Sequence, residues 1–448
     1  MTDHIFREYD IRGVVETDLT ENTVLNLGKA IGTYLLKHDV KEMVVGRDCR
    51  LSSESLNNSL TKGLLSTGID VVDIGVCHSP LLYFSLFHLD KNGGVMITGS
   101  HNPPEFNGFK ICRGKTTIHG AEIQNLKDII YKNGFTSGSG KLSKTDILSE
   151  YWDIIAKDIK LSKPLKIVID AGNGTGGRAS VKLLKRLGCN VKELYCNMDG
   201  NFPNHHPDPT LPACLKDLIK TVKREKADLG IGYDGDADRI GTVDEKGNII
   251  WGDQLLTIFA REILKESPGA TFISEVKASQ NFYNDINQKG GRAIMWKTGH
   301  SLIKAKMKEE NALLAGEMSG HMFFAHRYFG FDDAVYATCR LLEILSNTNA
   351  PLSSLLSDLP KTFTTPEIRV DCPDSKKFEI TEKVKTHFKK NYETIDIDGV
   401  RILMKNGWGL VRSSNTQPVL VLRFEANTKE RLDEIKEEVE TVVKSLIS

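Results

Sequence analysis

Short apolar runs, many of them β-branched, alternate along this chain with stretches of helical period, and several runs end in a loop carrying glycine or aspartate. That alternation predicts an α/β architecture, with strands buried in sheets and helices covering them. Residues 42–45 read as a strand ending in Gly46-Arg47-Asp48, and 53–67 as a helix stopped by Gly68. Residues 70–74 form the next expected strand, and 94–97 run as a strand into a turn at Ser100.

A chain of 448 residues exceeds one ordinary core, so several domains are expected. Ser137-Gly138-Ser139-Gly140 reads as the polar start of a linker, followed by a helix through Tyr151 and Trp152. A second unit has strands at 165–169, 191–195 and 228–233, with a helix at 178–187. A third opens near Trp251 with a helix to Lys265 and a strand at 271–274. The last segment differs: an edge-like strand at 367–370, a helix at 375–389, strands near 400–404 and 419–425, and a charged final helix. The expected division is 1–146, 147–249 and 250–360 as α/β domains, and 361–448 as a smaller α+β domain. No tight sequence repeat is visible, although the first three units share the habit of a strand followed by a Gly/Asp loop.

Basic and acidic residues balance at 59 each, so net charge argues for neither a nucleic-acid partner nor a membrane surface. The eight cysteines form no CxxC pair and no disulfide framework, and residues 1–10 hold no apolar signal core. The most apolar stretch, 81–89, is too short to span a bilayer. A cytoplasmic setting is expected.

Two motifs carry the chemistry. Thr98-Gly99-Ser100-His101-Asn102-Pro103 puts a serine on a tight polar turn with a rigid exit at Pro103-Pro104. Asp234-Gly235-Asp236-Ala237-Asp238-Arg239 puts three carboxylates at alternate positions, which suits a hard cation with oxygen ligands. A cation held there and a phosphate carried on Ser100 would together form an apparatus for phosphoryl transfer. A serine turn taken alone is an ordinary surface turn, and the lack of a GxSxG elbow weakens an α/β-hydrolase reading. An EF-hand also competes, since Glu245 falls at loop position 12 counted from Asp234. It fails at position 6, where Arg239 replaces glycine, and both flanks look like strands.

Other motifs are weaker singly. Gly172, Gly174 and Gly177 spell a formal GxGxxG between a strand and a helix, with Glu193 about 20 residues on, as a dinucleotide fingerprint requires. The preferred reading is a tight strand–helix turn, because nothing else suggests hydride chemistry. Gly316-Glu317-Met318-Ser319-Gly320-His321 places a carboxylate and a hydroxyl where adjacent sugar hydroxyls could bond them. Arg412-Ser413-Ser414-Asn415-Thr416 offers a guanidinium, hydroxyls and amides suited to a phosphate monoester. His205-His206 reads as a loop and not a metal site.

Together these motifs resemble the α-D-phosphohexomutase superfamily, and within it the bacterial phosphomannomutase/phosphoglucomutase branch. The resemblance runs collinearly from Phe6-Arg7-Glu8-Tyr9-Asp10-Ile11-Arg12-Gly13 through TGSHNP, Asn107-Gly108-Phe109-Lys110, DGDADR, Lys297-Thr298-Gly299-His300 and GEMSGH to RSSNT. It implies four domains around a central cleft: three similar mixed α/β domains and a C-terminal α+β domain like the TATA-box-binding protein. It implies an Mg²⁺-dependent mutase acting on small-molecule sugar phosphates. Phosphorylated Ser100 would pass its phosphoryl group to a hexose 1-phosphate, the 1,6-bisphosphate would reorient, and the other phosphate would return to Ser100, with hexose 1,6-bisphosphate as primer. A monomer is expected.

The resemblance also implies roles. Ser100, Asp234, Asp236 and Asp238 would hold Mg²⁺, and Arg239 would stabilise charge on the transferring group. Lys110 and Arg12 would lie near the attacking hydroxyl and help its proton leave. Lys277, His300 and His321 would line the sugar site, with Tyr9 closing beside it. Glu317 and Ser319 would read the 3- and 4-hydroxyls, and Arg412, Ser414, Asn415 and Thr416 would grip the phosphate that is not reacting. Gly99 stands where the family often has alanine, and Ala237 where it often has glycine. Met318 stands where phosphoglucosamine mutases usually carry glutamine, which favours mannose and glucose phosphates over glucosamine phosphate. A noncatalytic sugar-phosphate or nucleotide-binding protein is the rival of a different class, and an intact Ser100 with three aspartates argues against it.

Overall fold

A computed structural model describes residues 3–415 and 417–447. Its strands form four sheets. In the first, Glu42–Arg47 lies between Asp70–Val76 and Gly93–Ile97, all parallel, and Phe106–Arg113 runs antiparallel beside Gly93–Ile97. The second repeats the plan: Lys166–Asp170 lies between Asn190–Leu194 and Leu229–Tyr233, with Ile240–Asp244 antiparallel beside the latter. The third repeats it again, with Thr271–Glu275 between Arg292–Trp296 and Leu314–Gly316, and Met322–Phe324 antiparallel at the end. The three α/β units thus share one topology, as the family resemblance implied.

This plan decides where chemistry can sit. The segments 98–105, 234–239 and 317–321 each connect the third strand of a unit to its antiparallel fourth. Each therefore projects from the carboxyl end of a parallel strand, the end at which open α/β sheets bind ligands.

The fourth sheet is antiparallel, its neighbouring strands running in the spatial order Phe363–Thr364, Val419–Ala426, Gly407–Ser413, Val400–Met404 and Glu393–Ile395. The strand Ile368–Asp371 pairs with Val419–Ala426 at an edge, as its sequence suggested. The final helix, Lys429–Ile447, buries Leu432, Ile435, Val439 and Val443, one stripe at helical spacing. That stripe and the helix Lys377–Phe388 close a separate core over the sheet.

One continuous apolar core runs through the first three units, from Val44 and Leu82 by way of Tyr151 and Ile169 to Phe259 and Leu341. The fourth unit meets the third through Val276, Trp408 and Leu410. There the buried Arg401 guanidinium stacks 3.7 Å from the Trp408 ring centroid and donates to the carbonyls of Val276 and Ala278, each at 2.8 Å. No described helix is long and apolar enough to cross a membrane.

One expectation needs correction. Residues 137–140 are not a free linker: the amides of Gly138 and Gly140 bond the carbonyls of Ser66 and Leu65, and Leu142–Lys144 then extends the first sheet beside Asp70–Val76. That strand is short and its side chains are exposed, so no apolar periodicity announces it.

Candidate active site

Ser100 sits at φ +48°, a left-handed conformation that costs a residue with a side chain about 1–2 kcal/mol. Two buried residues from the end of Glu42–Arg47 hold it there. Asp48 accepts from the Thr98 hydroxyl at 2.9 Å and the Gly99 amide at 3.1 Å. Arg50 donates to the carbonyls of Ser100 (2.8 Å), Asn102 (2.5 Å), Pro103 (2.6 Å) and Phe106 (3.0 Å). A β-carbon at Gly99 would lie 2.4 Å from Arg50 Nε, so the departure from alanine at that position makes room for this guanidinium.

The serine faces the acidic loop across the boundary between the first two units. Ser100 Oγ donates to Asp234 Oδ2 at 2.7 Å, and His101 Nδ1 lies 3.1 Å from the same Oγ. Burial, with Arg239 and Arg12 nearby, holds His101 well below the usual histidine range. Asp234 Oδ1 accepts the amides of Asp238 and Arg239, each at 3.1 Å, which winds the loop tightly. Ala237 adopts φ +53°, so glycine would be the less strained residue there.

The carboxylates are fully buried and crowded. Asp234 is pushed well above the carboxylate range by burial and by the charges of Asp238 and Asp236. Burial opposes ionisation of Asp236 too, but Lys110 and hydrogen bonds from Lys110 and Ser79 override it and hold that group low. Lys110 Nζ donates to Asp236 Oδ2 at 2.8 Å and also to Asp238. Burial disfavours its charge, yet the two aspartates raise its pKa and hold Lys110 as an ammonium that donates to both.

A cation fits this cluster. One oxygen from each of Asp234, Asp236 and Asp238 lies within 4.8 Å of the others. Asp236 Oδ1 and Asp238 Oδ1 are buried without a hydrogen-bond partner. Orphaned, buried carboxylate oxygens are costly unless something positive meets them, and three hard oxygen donors are the set a small divalent cation takes.

The glycine-rich loop proves to be support for this loop. A β-carbon on Gly174 would lie 2.6 Å from the Gly235 carbonyl oxygen, and one on Gly177 would lie 2.3 Å from that of Cys196. The Thr175 amide and hydroxyl both bond the Gly235 carbonyl, at 3.0 and 3.2 Å. The entrance to the helix Gly176–Arg186, where a dinucleotide would set its phosphates, is filled by the acidic loop. His205, in a loop as expected, binds Asp170 at 3.0 Å beneath it.

The sugar-motif loop touches the acidic loop directly. Arg239 and His321 form a backbone bridge, and Ile240 N donates to Gly320 O at 3.0 Å. Arg239 Nε donates to His321 Nε2 at 3.0 Å, which leaves the imidazole proton on Nδ1, facing Asp332 Oδ2 at 3.2 Å. Asp332 is paired in turn with Lys304 at 3.1 Å. Glu317 accepts the Gly299 amide at 2.7 Å, and Ser319 Oγ donates to Glu317 Oε2 at 3.5 Å.

A row of rings leads on to the fourth unit. His300 lies 6.0 Å from His321 and 6.1 Å from Tyr9, centroid to centroid. The Tyr9 hydroxyl donates to Thr298 O at 2.9 Å and accepts from Asn415 at 2.6 Å. Arg412 Nε pairs with Asp398 at 2.9 Å, Lys277 Nζ with Glu367 at 3.1 Å, and Ser414 Oγ accepts the Gln417 amide at 3.1 Å. Thr416 lies outside the described residues. Arg12 pairs with Asp10 at 2.6 Å and, with the Asn102 amide oxygen turned to it, donates to the serine loop at 2.7 Å.

Sequence reasoning missed the supports. Asp48 closed a predicted strand and Arg50 followed it unremarked, and neither bore a mark of its partners about fifty residues on. Ser79 opens the helix Ser79–His88, where its amide and hydroxyl both bond Asp236. A hydroxyl followed by Pro80 is a legible helix-start signal, though not its target. Asp332 and Lys304 carried no local signal.

A serine-bearing turn and an acidic loop that fits a cation, beside two further polar loops on a thrice-repeated α/β frame, are the parts a phosphoryl-transfer enzyme needs. Comparison with known proteins is specific. Family models match throughout: phosphoglucomutase/phosphomannomutase α/β/α domains I (residues 3–137), II (149–247) and III (251–363), and the C-terminal domain (367–442). The chain is 49% identical to a phosphomannomutase/phosphoglucomutase of Pseudomonas aeruginosa over 96% of its own length and 94% of that protein's. It is 45% identical to a phosphoglucomutase of Neisseria gonorrhoeae, covering 99% and 98%. A crystal structure of a phosphoglucomutase/phosphomannomutase family protein from Burkholderia thailandensis superposes with a TM-score of 0.94 at 42% identity, covering 100% and 98%. The chain belongs to the phosphoglucomutase/phosphomannomutase family of the α-D-phosphohexomutase superfamily.

Proposed function

We propose that the protein interconverts the 1- and 6-phosphates of mannose and glucose by way of a phosphoserine at Ser100, with Mg²⁺ at the aspartate cluster and hexose 1,6-bisphosphate as primer. The observation that carries this reading is Ser100 Oγ bonded at 2.7 Å to one carboxylate of a buried cluster with orphaned oxygens. Asp234, Asp236, Asp238 and a phosphoserine oxygen would hold Mg²⁺, which would supply positive charge to a phosphoryl group in transfer.

The chain's residues do the rest. Phosphorylated Ser100 gives its phosphoryl group to the free hydroxyl of a hexose 1-phosphate. The bisphosphate turns over in the cleft, and the other phosphate returns to Ser100. Arg239, aimed by His321, stabilises charge on the transferring oxygens, and Arg12, bonded to Asn102 of the serine loop, lies near the attacking hydroxyl. Lys110, held as an ammonium, donates to the oxygens around the attacking hydroxyl. Glu317 and Ser319 bond the 3- and 4-hydroxyls between Lys277, His300 and His321. Arg412, Ser414, Asn415 and Thr416 grip the distal phosphate, the one feature common to both substrate orientations. Tyr9, bridging the third and fourth units, closes the cleft and excludes water that would hydrolyse the phosphoserine. Eight free thiols suit a reducing, cytoplasmic setting.

The test is turnover of mannose, glucose and glucosamine 1-phosphates in parallel, with Mg²⁺ and a trace of glucose 1,6-bisphosphate. Turnover of the first two, abolished by EDTA and by Ser100→Ala, is expected. Preference for glucosamine phosphate would overturn the substrate assignment, and full activity of the Ser100→Ala variant would overturn the phosphoserine.

A further inference from the structure

Glu275 ends the central strand of the third sheet and is fully buried. Its Oε2 accepts the Lys277 amide at 2.9 Å and the Thr298 hydroxyl at 3.0 Å. Its Oε1 accepts the Met318 amide at 3.2 Å and lies 3.7 Å from Lys277 Nζ. These partners stand on three loops, which follow the adjacent parallel strands Thr271–Glu275, Arg292–Trp296 and Leu314–Gly316. One loop carries Lys277, the next leads into the helix that opens at His300, and the third carries Glu317 and Ser319.

We propose that Glu275 is the positioning residue for hexose recognition: one carboxylate spans the three loops and sets their mutual register. The inference rests on the sugar-phosphate reading given above. The partners recorded on both oxygens are donors, and only a carboxylate accepts on both. A glutamine of the same size must turn an N–H₂ toward the Met318 amide on one side or toward Lys277 and Thr298 on the other. One loop is then repelled while the interior stays filled. The acidic loop and Ser100 have no bond to Glu275, so the phosphoryl centre is left alone. Loss of register falls on Glu317 and Ser319, and discrimination at the ring hydroxyls falls with it.

The experiment compares Glu275→Gln with wild type on glucose 1-phosphate and 4-deoxyglucose 1-phosphate. KM for glucose 1-phosphate is expected to rise about tenfold with kcat within about threefold, and the ratio of kcat/KM between the two substrates to fall about tenfold. Thr298→Val removes one donor and keeps the carbonyl that Tyr9 uses, so it should move the ratio the same way by less. It carries the test if the first variant does not fold. A wild-type ratio in the folded variants, with only thermal stability or active fraction reduced, overturns the proposal. A wild-type protein that turns over neither sugar phosphate overturns the functional reading itself, together with this inference.

Discussion

Arg50→Lys tests the account of the serine loop most directly. Lysine keeps the charge and the ion pair with Asp48, which stands 3.3 Å from Arg50 Nε. It loses the planar fork that reaches four carbonyls, those of Ser100, Asn102, Pro103 and Phe106. A single ammonium has three donors on one atom and cannot span that set, so at least two carbonyls go unmet. Hydrogen bonds from a charged donor contribute about 1.5–3 kcal/mol each, and partial replacement by the ammonium leaves a net loss of about 3 kcal/mol. The loop also holds Ser100 in a strained conformation, which relaxes once the clamp weakens. Displacing the nucleophile by about 1 Å costs on the order of a hundredfold in rate. The assay is steady-state turnover of glucose 1-phosphate with primer, beside mass-spectrometric measurement of Ser100 phosphorylation. We expect kcat to fall about 30- to 100-fold with KM within about threefold, because the recognition loops lie in other units. Wild-type kcat and phosphorylation in a folded Arg50→Lys protein would refute the reasoning.

Three further outcomes follow from the same geometry. Arg412→Ala should raise KM about tenfold or more at nearly unchanged kcat, and a large fall in kcat at constant KM would contradict its assignment to the distal phosphate. Gly99→Ala, though it restores the commoner family residue, should displace the Arg50 side chain and lower activity in the same manner as Arg50→Lys; unchanged kcat would show that the contact relaxes freely. His205 is raised to about 10: burial opposes its charge, but hydrogen bonds, above all with Asp170, outweigh that. Its folded pKa exceeds its unfolded one, so its stabilisation is complete below about pH 6.5 and lost as pH rises toward 10. The melting temperature of wild type should therefore drop more between pH 7 and 10 than that of His205→Gln, and parallel curves would refute the linkage.

The candidate site was legible in the sequence because each hairpin tip keeps its polar residues within six or so positions of one another. TGSHNP, DGDADR and GEMSGH needed no knowledge of the fold to be noticed. What positions them was not legible. Asp48 and Arg50 act on a turn fifty residues away, Ser79 on an aspartate more than one hundred and fifty away, and Lys304 on Asp332 from a different element. Such pairings follow from strand order, and strand order is set by non-local contacts that no local pattern encodes. The Gly172–Gly177 stretch shows the converse. Its spelling matches a cofactor motif, yet its lack of side chains serves close packing against Gly235 and Cys196. The strand Leu142–Lys144 escaped notice because it is solvated on both faces.

The thrice-repeated strand plan explains why no repeat shows in the sequence. A sheet asks of its residues only that they be apolar and suitably spaced, a demand many sequences meet, so three copies of one frame can drift apart letter by letter while keeping their shape. A hairpin tip bears none of that demand. In this molecule three tips at the same place in the frame carry three different polar sets: one the strained Ser100, one the three aspartates, one Glu317, Ser319 and His321. The frame is what stayed common, and the division of labour lies entirely in about twenty residues that the frame does not need.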